Sequence, residues 1–151
     1  MEDALETGQV ETYITDFATP KALHMPRTLV TPHTGAGTVE AAANCARMAL
    51  DEVVDYLDRG NITHSVNYPG CSLGACRGAS RIACLHANKP NMIGQITAIL
   101  AGAAANVQRM SNENAGAWAY TLFDTDEHLE REIVQALKVI DGMCRVRVIA
   151  P

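Results

Sequence analysis

Between Arg81 and Ile149 the spacing of the apolar residues switches repeatedly, and the order of the switches leaves few folds open. Ile82 and Cys84 alternate with their neighbours as a strand does. Ile93, Ile96, Leu100 and Ala103 then recur at helical spacing behind Pro90, which costs nothing in a first turn whose backbone donor would be unpaired anyway. Val107 to Ser111 and Ala117 to Phe123 return to alternation around a turn containing Asn112, Asn114 and Gly116. Asp124 with Glu127 three residues later has the form of a capping box, and predicts a helix carrying Leu129, Ile133, Ala136, Leu137 and Ile140. Asp141 and Gly142 end it, and Cys144 to Ile149 reads as the closing strand. Strand, helix, strand, strand, helix, strand is the ferredoxin-like plan, an antiparallel sheet with both helices on one face. Its other face and its edges need cover, so association through the sheet edges is expected. With His86, Asn88 and Asn106 at its loops, the segment suggests a small amino-acid-sensing module.

The N-terminal half is less regular. Asp3 to Thr7 followed by Gly8 reads as the last turns of a helix ended by a glycine cap. Val10 to Asp16 and Thr28 to Thr31 read as short strands around the Pro20 to Pro26 loop, with no obvious neighbours to pair with. From Thr38 the residues Val39, Ala42, Ala43, Ala46, Leu50, Val53, Val54 and Leu57 fall on one face of a helix over about 38–58, capped by Thr38, favoured by Glu40 at its positive end and stopped by Gly60. Its apolar stripe asks for a partner surface. Ile62 to Tyr68 reads as extended, and the small residues of 70–80 read as a linker. The expected organisation is therefore 1–69, a linker 70–80 and a compact domain 81–151.

Composition narrows the function. A formal charge of −5 disfavours a phosphate-backbone binder, so nucleic acid is not an expected partner. No apolar run approaches the roughly 18 to 20 residues needed to span a bilayer, and Glu2, Asp3 and Glu6 are unlike a signal peptide, so a cytoplasmic protein with no membrane partner is expected. Five cysteines without a close CxxC pair disfavour both a disulfide framework and a structural metal site. Trp118, beside Tyr120 in a strand, reads as packing, and Asp124 to Glu132 as the solvated side of the last helix.

Several motifs then line up in order. TDF at Thr15 to Phe17, TPHTGAGTVEAAANCA at Thr31 to Ala46 and SVNYP at Ser65 to Pro69 resemble the C-terminal catalytic part of D-3-phosphoglycerate dehydrogenases. HANKPNMIGQI from His86 and NVQRMSNENAGAWAYTLFD from Asn106 resemble the ACT domain of the same family. The resemblance implies an α/β dehydrogenase remnant over 1–69 followed by an α+β ACT domain over 81–151. It also implies a parent oxidoreductase that uses NAD and converts 3-phosphoglycerate to 3-phosphohydroxypyruvate in serine biosynthesis.

In that family His33 would be the catalytic histidine, which exchanges the proton of the substrate hydroxyl; an imidazole near neutral pH suits the role. The family's dinucleotide loop, and the Arg and Glu that work with the histidine, match nothing here. Gly35-Ala36-Gly37 is no substitute, since Glu40 stands where a third glycine would be and would repel a pyrophosphate. The chain alone is accordingly expected to bind no cofactor and to transfer no hydride, with the partner carboxylate of His33 absent.

A free amino acid presents a carboxylate, an ammonium group and a side chain, and the turn from His86 to Ile93 offers something to each. Backbone N–H groups of Asn91, Met92 and Ile93 open a helix and suit a carboxylate, while Asn88 and Asn106 can accept from the ammonium. The resemblance implies that His86, Asn88 and Asn106 contact L-serine as a feedback effector, the last across a homodimer interface. Where the family has Pro-Gly this chain has Pro90-Asn91, which places a side chain at the position of close approach. Two alternatives stay open: a structural oligomerisation module with a degenerate effector site, and half of a split NAD-dependent dehydrogenase.

Overall fold

The computed structural model describes residues 1–150. By its internal contacts the chain divides into Met1–Met48 and a second unit from Ala49 onward.

In the first unit, helix α1 (Glu2–Glu6) ends on Thr7, whose N–H and hydroxyl both donate to the Asp3 carbonyl, and Gly8 follows as expected. Strand β1 (Tyr13–Thr15) is shorter than the alternation from Val10 implied, and helix α2 (Pro20–His24) occupies the expected loop, with Thr19 Oγ1 accepting from Ala22 N at 3.1 Å and Pro20 in its first turn. Strand β2 (Thr28–Val30) finds its neighbour in β1: the two pair in parallel, Tyr13 opposite Thr28 and Thr15 opposite Val30, with α2 as the crossover. Helix α3 (Val39–Arg59) is capped by Thr38, which accepts from Ala41 N at 3.1 Å.

The second unit is built on strands β3 (Ser80–Ala87), β4 (Val107–Ala115), β5 (Trp118–Thr125) and β6 (Met143–Ile149), with helices α4 (Met92–Gly102) and α5 (Arg131–Lys138) as the crossovers. The sheet is antiparallel in the order β4-β5-β3-β6, the ferredoxin-like arrangement that the periodicity predicts. Alternation along β3 and β5 sends Ile82, Cys84 and Phe123 to one face, where they meet Ile96 and Leu100 of α4 and Leu137 of α5. Each leucine, isoleucine or phenylalanine among them contributes about 1.5–3 kcal/mol on full burial. Ala83, Leu122 and Tyr120 point to the other face.

That second face is covered from within the unit. Tyr56 near the end of α3, together with Ile62, Cys71 and Leu73, packs on it. Gly60 makes the approach possible: its φ is +72°, and a Cβ there would stand 2.8 Å from Ile149 Cδ1. Ile62 to Tyr68 is not the extended run expected; it makes a single antiparallel bridge, Ile62 to Cys71, and otherwise bends. The 70–80 stretch thus lies inside the second unit, hydrogen-bonded to it at both Cys71 and Ala79.

The β4–β5 hairpin is longer than the sequence suggests. Asn112 and Asn114 belong to β4, and the turn is the pair Gly116-Ala117 with Gly116 at φ +59°. The expected capping box at Asp124 does not form. Asp124 is a buried strand residue, and the Glu127 carbonyl is held by the hydroxyls of Ser80 and Thr125 at 2.9 and 3.0 Å, so α5 starts only after Glu130. Trp118 remains 42% exposed at the edge of the hairpin, so it is not a core residue within this chain.

Candidate effector site

His86 is the last inward-facing residue of β3, opposite Ala119, and is only 2% exposed. Its Nδ1 donates to the Ala87 carbonyl at 2.8 Å, and its Nε2 hydrogen-bonds Thr121 Oγ1 at 2.8 Å; Thr121 Oγ1 in turn donates to Asn112 Oδ1 at 2.7 Å. A buried polar chain of this kind fixes the ring plane, since every member would lose its partner if one rotated. Thr121 and Asn112 were not among the sequence candidates. The signal was the alternation of β5 continued through a polar residue, with the two-residue turn that sets Asn112 opposite Thr121.

Asn88 sits beyond the strand end and is tied to the same hairpin: its backbone N–H donates to the Ala117 carbonyl at 2.9 Å and its Nδ2 to the Gly116 carbonyl at 3.0 Å. Its amide oxygen is left as an acceptor. Lys89 forms an ion pair with Asp141, whose carboxyl is held below its ordinary range by the hydrogen bond and then the charge of that lysine.

Asn91 precedes α4 in the left-handed region, φ 66° and ψ 14°, so an asparagine does adopt the conformation that glycine favours. Its side chain folds over the first helical turn, because a Cβ on Gly94 would stand 2.3 Å from Asn91 Oδ1. Met92 is buried and Ile93 half-buried, which leaves their backbone N–H groups as what they can offer. A first-turn N–H has no intrahelical acceptor and carries the positive end of the helix dipole.

Asn106 is elsewhere. It immediately precedes β4 and exchanges hydrogen bonds with Asp126, its N–H to Asp126 Oδ1 at 2.9 Å and its carbonyl from Asp126 N at 3.2 Å. In register that is the Ser80 end of the sheet, six residues from His86 along β3, or roughly 20 Å at about 3.3 Å per residue. The structure therefore brings His86, Asn88 and the Asn91–Ile93 turn together and leaves Asn106 at the opposite end.

His33 lies in the first unit. Its Nδ1 is 2.9 Å from Asp16 Oδ2, and its ring packs on Phe17 at 4.8 Å between centroids. The family's partner glutamate matches nothing in this chain, but a different carboxylate, that of Asp16, stands beside His33. Asp16 and Phe17, at the end of β1, reach it because β1 and β2 pair in parallel and bring both strand ends to one side. Among the described residues no group of three or more His, Cys, Asp or Glu side chains gathers as a metal site would require. Nor is any helix of the described residues long and apolar enough to cross a membrane.

No family model matches the chain. It is 30% identical over 121 residues to the D-3-phosphoglycerate dehydrogenase of Haemophilus influenzae, covering 80% of this chain and 30% of that enzyme. It is 29% identical over 123 residues to the Escherichia coli K12 enzyme of the same name, with the same shares, and 28% identical over 124 residues to the one from Dictyostelium discoideum, covering 82% and 30%. The matches fall on the C-terminal region of these enzymes, so the chain spans about 30% of their length. Among solved structures, the regulatory subunit of aspartate kinase from Thermus thermophilus overlaps 54% of this chain and 55% of its own at 14% identity and a TM-score of 0.41. The ACT domain of GTP pyrophosphokinase from Chlorobium tepidum overlaps 46% and 95% at 15% identity and a TM-score of 0.39.

Proposed function

We propose that this chain, which belongs to the D-3-phosphoglycerate dehydrogenase family through its C-terminal part, acts as the regulatory end of a cytoplasmic NAD-dependent enzyme of serine biosynthesis. Its βαββαβ unit is an ACT domain that binds L-serine as a feedback effector between two copies. One observation carries this reading: His86 and Asn88 stand at one end of the sheet and Asn106 at the other. The three can converge on one ligand only if a second copy, related by a two-fold axis, sets its Asn106 beside the first copy's His86. Each dimer would then hold two equivalent sites.

In such a site the first-turn N–H groups of Met92 and Ile93 take the carboxylate, Asn88 accepts from the ammonium, and Asn91 lies against the side chain of the ligand. Serine acts on the parent enzyme only through its different affinity for the active and inactive states. Hydride transfer belongs to that parent, where His33 with Asp16 would handle the hydroxyl proton and NAD would accept the hydride on residues outside this match.

Calorimetry with L-serine, run beside sedimentation of the 151-residue chain, tests the reading. The expected result is a dimer that binds about one serine per chain, with binding lost in Asn106→Ala while the dimer persists. A folded dimer that gives no heat with millimolar serine leaves the assembly module instead. That second reading is favoured by the engagement of both His86 ring nitrogens within the chain.

A further inference from the structure

On the face of the sheet away from α4 and α5 lies a cleft of about 440 Å³, floored by Leu85 and Tyr120, walled by Val53 and Ile62 and rimmed by Ser65 and Arg145. Small-ligand sites have this size and this balance, mostly apolar with a few placed polar groups. The surroundings are rigidly built. Tyr120 is 3% exposed and donates its hydroxyl to the Gly60 carbonyl at 2.8 Å. Asn61, also buried, donates to Asp55 Oδ1 at 3.1 Å and to the Gly74 carbonyl at 3.2 Å, and accepts from Leu73 N at 3.1 Å. His64 Nδ1 and Glu52 Oε1, 2.7 Å apart, clasp the 61–68 loop to α3.

The charges around the cleft are not equally committed. Arg147 donates to the carbonyls of Tyr56 and Leu57 at 3.1 and 2.9 Å and stacks on the Tyr56 ring at 4.6 Å. Glu52 is taken up by His64. Arg145 stands opposite Leu85 across β3 and β6, which places both on the cleft face, and it enters no ion pair among the described residues. An apolar chamber with one uncommitted guanidinium at its rim matches a ligand with an apolar body and one carboxylate. A phosphate or sugar would leave the chamber unused, and a neutral hydrocarbon would leave the cation unused.

We infer that this cleft binds a small carboxylic acid with an aromatic or branched apolar body, the body against Leu85, Val53 and Tyr120 and the carboxylate on Arg145. The site is separate from the effector site, which lies at the hairpin end on the helix-covered face.

Calorimetry of the full chain with 3-phenylpropionate and with its amide provides the test. The acid is expected to bind saturably, and the amide to bind about tenfold more weakly, as is the acid to Arg145→Gln. Val53→Trp, at a position already 53% exposed and therefore tolerant, should fill the cleft and abolish binding while circular dichroism stays unchanged. No saturable heat up to about 10 mM acid, equal affinity for acid and amide, an Arg145→Gln variant that binds as well as the parent chain, or competition by L-serine would each overturn the inference.

Discussion

Arg81 and Asp124 face each other across β3 and β5 in two parallel hydrogen bonds, Nε to Oδ1 at 2.6 Å and Nη2 to Oδ2 at 2.9 Å, with neither side chain exposed. The remaining guanidinium hydrogens go to the carbonyls of Arg59 and Gly74 at 2.9 and 2.6 Å and of Ala75 at 3.2 Å. All five N–H groups thus have acceptors, and one side chain joins the end of α3, the 74–75 segment and the sheet.

Removing the carboxylate should be severe. Asp124→Asn leaves the buried Arg81 without its counter-charge, and Arg109, whose buried Nη1 lies 3.6 Å from Asp124 Oδ2 with no hydrogen-bond partner, loses its neighbouring charge as well. A loss of about 3–5 kcal/mol is expected for a broken buried pair, read as a lower urea midpoint at unchanged slope. Faster proteolysis within 70–80 should accompany it. A midpoint within error of the parent chain would mean that the pair holds nothing.

Asn91 and Gly94 form a second coupled pair. Alanine is favoured over glycine in a helix by about 0.8–1 kcal/mol, so Gly94→Ala should stabilise α4. Here the new Cβ would meet Asn91 Oδ1 at 2.3 Å, so the exposed Asn91 side chain, which makes no capping hydrogen bond, must swing aside and the gain should be smaller than that. In an Asn91→Gly background the same change should recover the full gain. A double-mutant cycle by chemical denaturation measures this, with a coupling of about 0.5 kcal/mol expected; additive effects would show that the two side chains do not share space.

How much of this was legible depended on which forces set each feature. The β3-to-β6 plan follows from apolar period, which local sequence carries directly, and it stands as expected. Asp124 with Glu127 looked like a capping box because both signals are local, but a buried arginine more than forty residues away competes for that carboxylate. The pairing of β1 with β2, and of His33 with Asp16, likewise depends on chain segments brought together by a crossover. The cover over the second sheet face was hidden for another reason: 60–80 holds little periodic structure, and its position is set by Gly60, Asn61 and the carbonyls that Arg81 gathers.

The cysteines separate by exposure. Cys45 and Cys144 are exposed, while Cys71 and Cys84 are buried and all five are free thiols. A maleimide should therefore label Cys45 and Cys144 in the native chain within minutes, and Cys71 and Cys84 only with denaturant, since the thiolate is the reactive form and burial raises the thiol pKa of both. Native labelling of Cys84 at the rate of Cys144, followed by mass spectrometry, would contradict the packing of β3 against α4.

The same burial sets the alkaline limit of stability. Desolvation pushes the Cys84 thiol from about 9.0 up to about 12, and it raises the Tyr120 phenol as well. Both groups hold their protons more tightly folded than unfolded. Their contribution is full below the unfolded values and is lost as pH climbs from near 9 through the folded values, because the unfolded chain releases protons that the folded chain keeps. Urea midpoints should accordingly fall steadily above about pH 9, in addition to any general charge repulsion. Cys84→Ala, which removes one of these protons, should flatten that fall while costing some stability at neutral pH through the small cavity it leaves. Tyr120→Phe should flatten it further and, by leaving the Gly60 carbonyl without its 2.8 Å donor, cost about 1 kcal/mol at pH 7. Parallel pH profiles for the parent chain and both variants would mean that neither group is held in the protonated form by the fold.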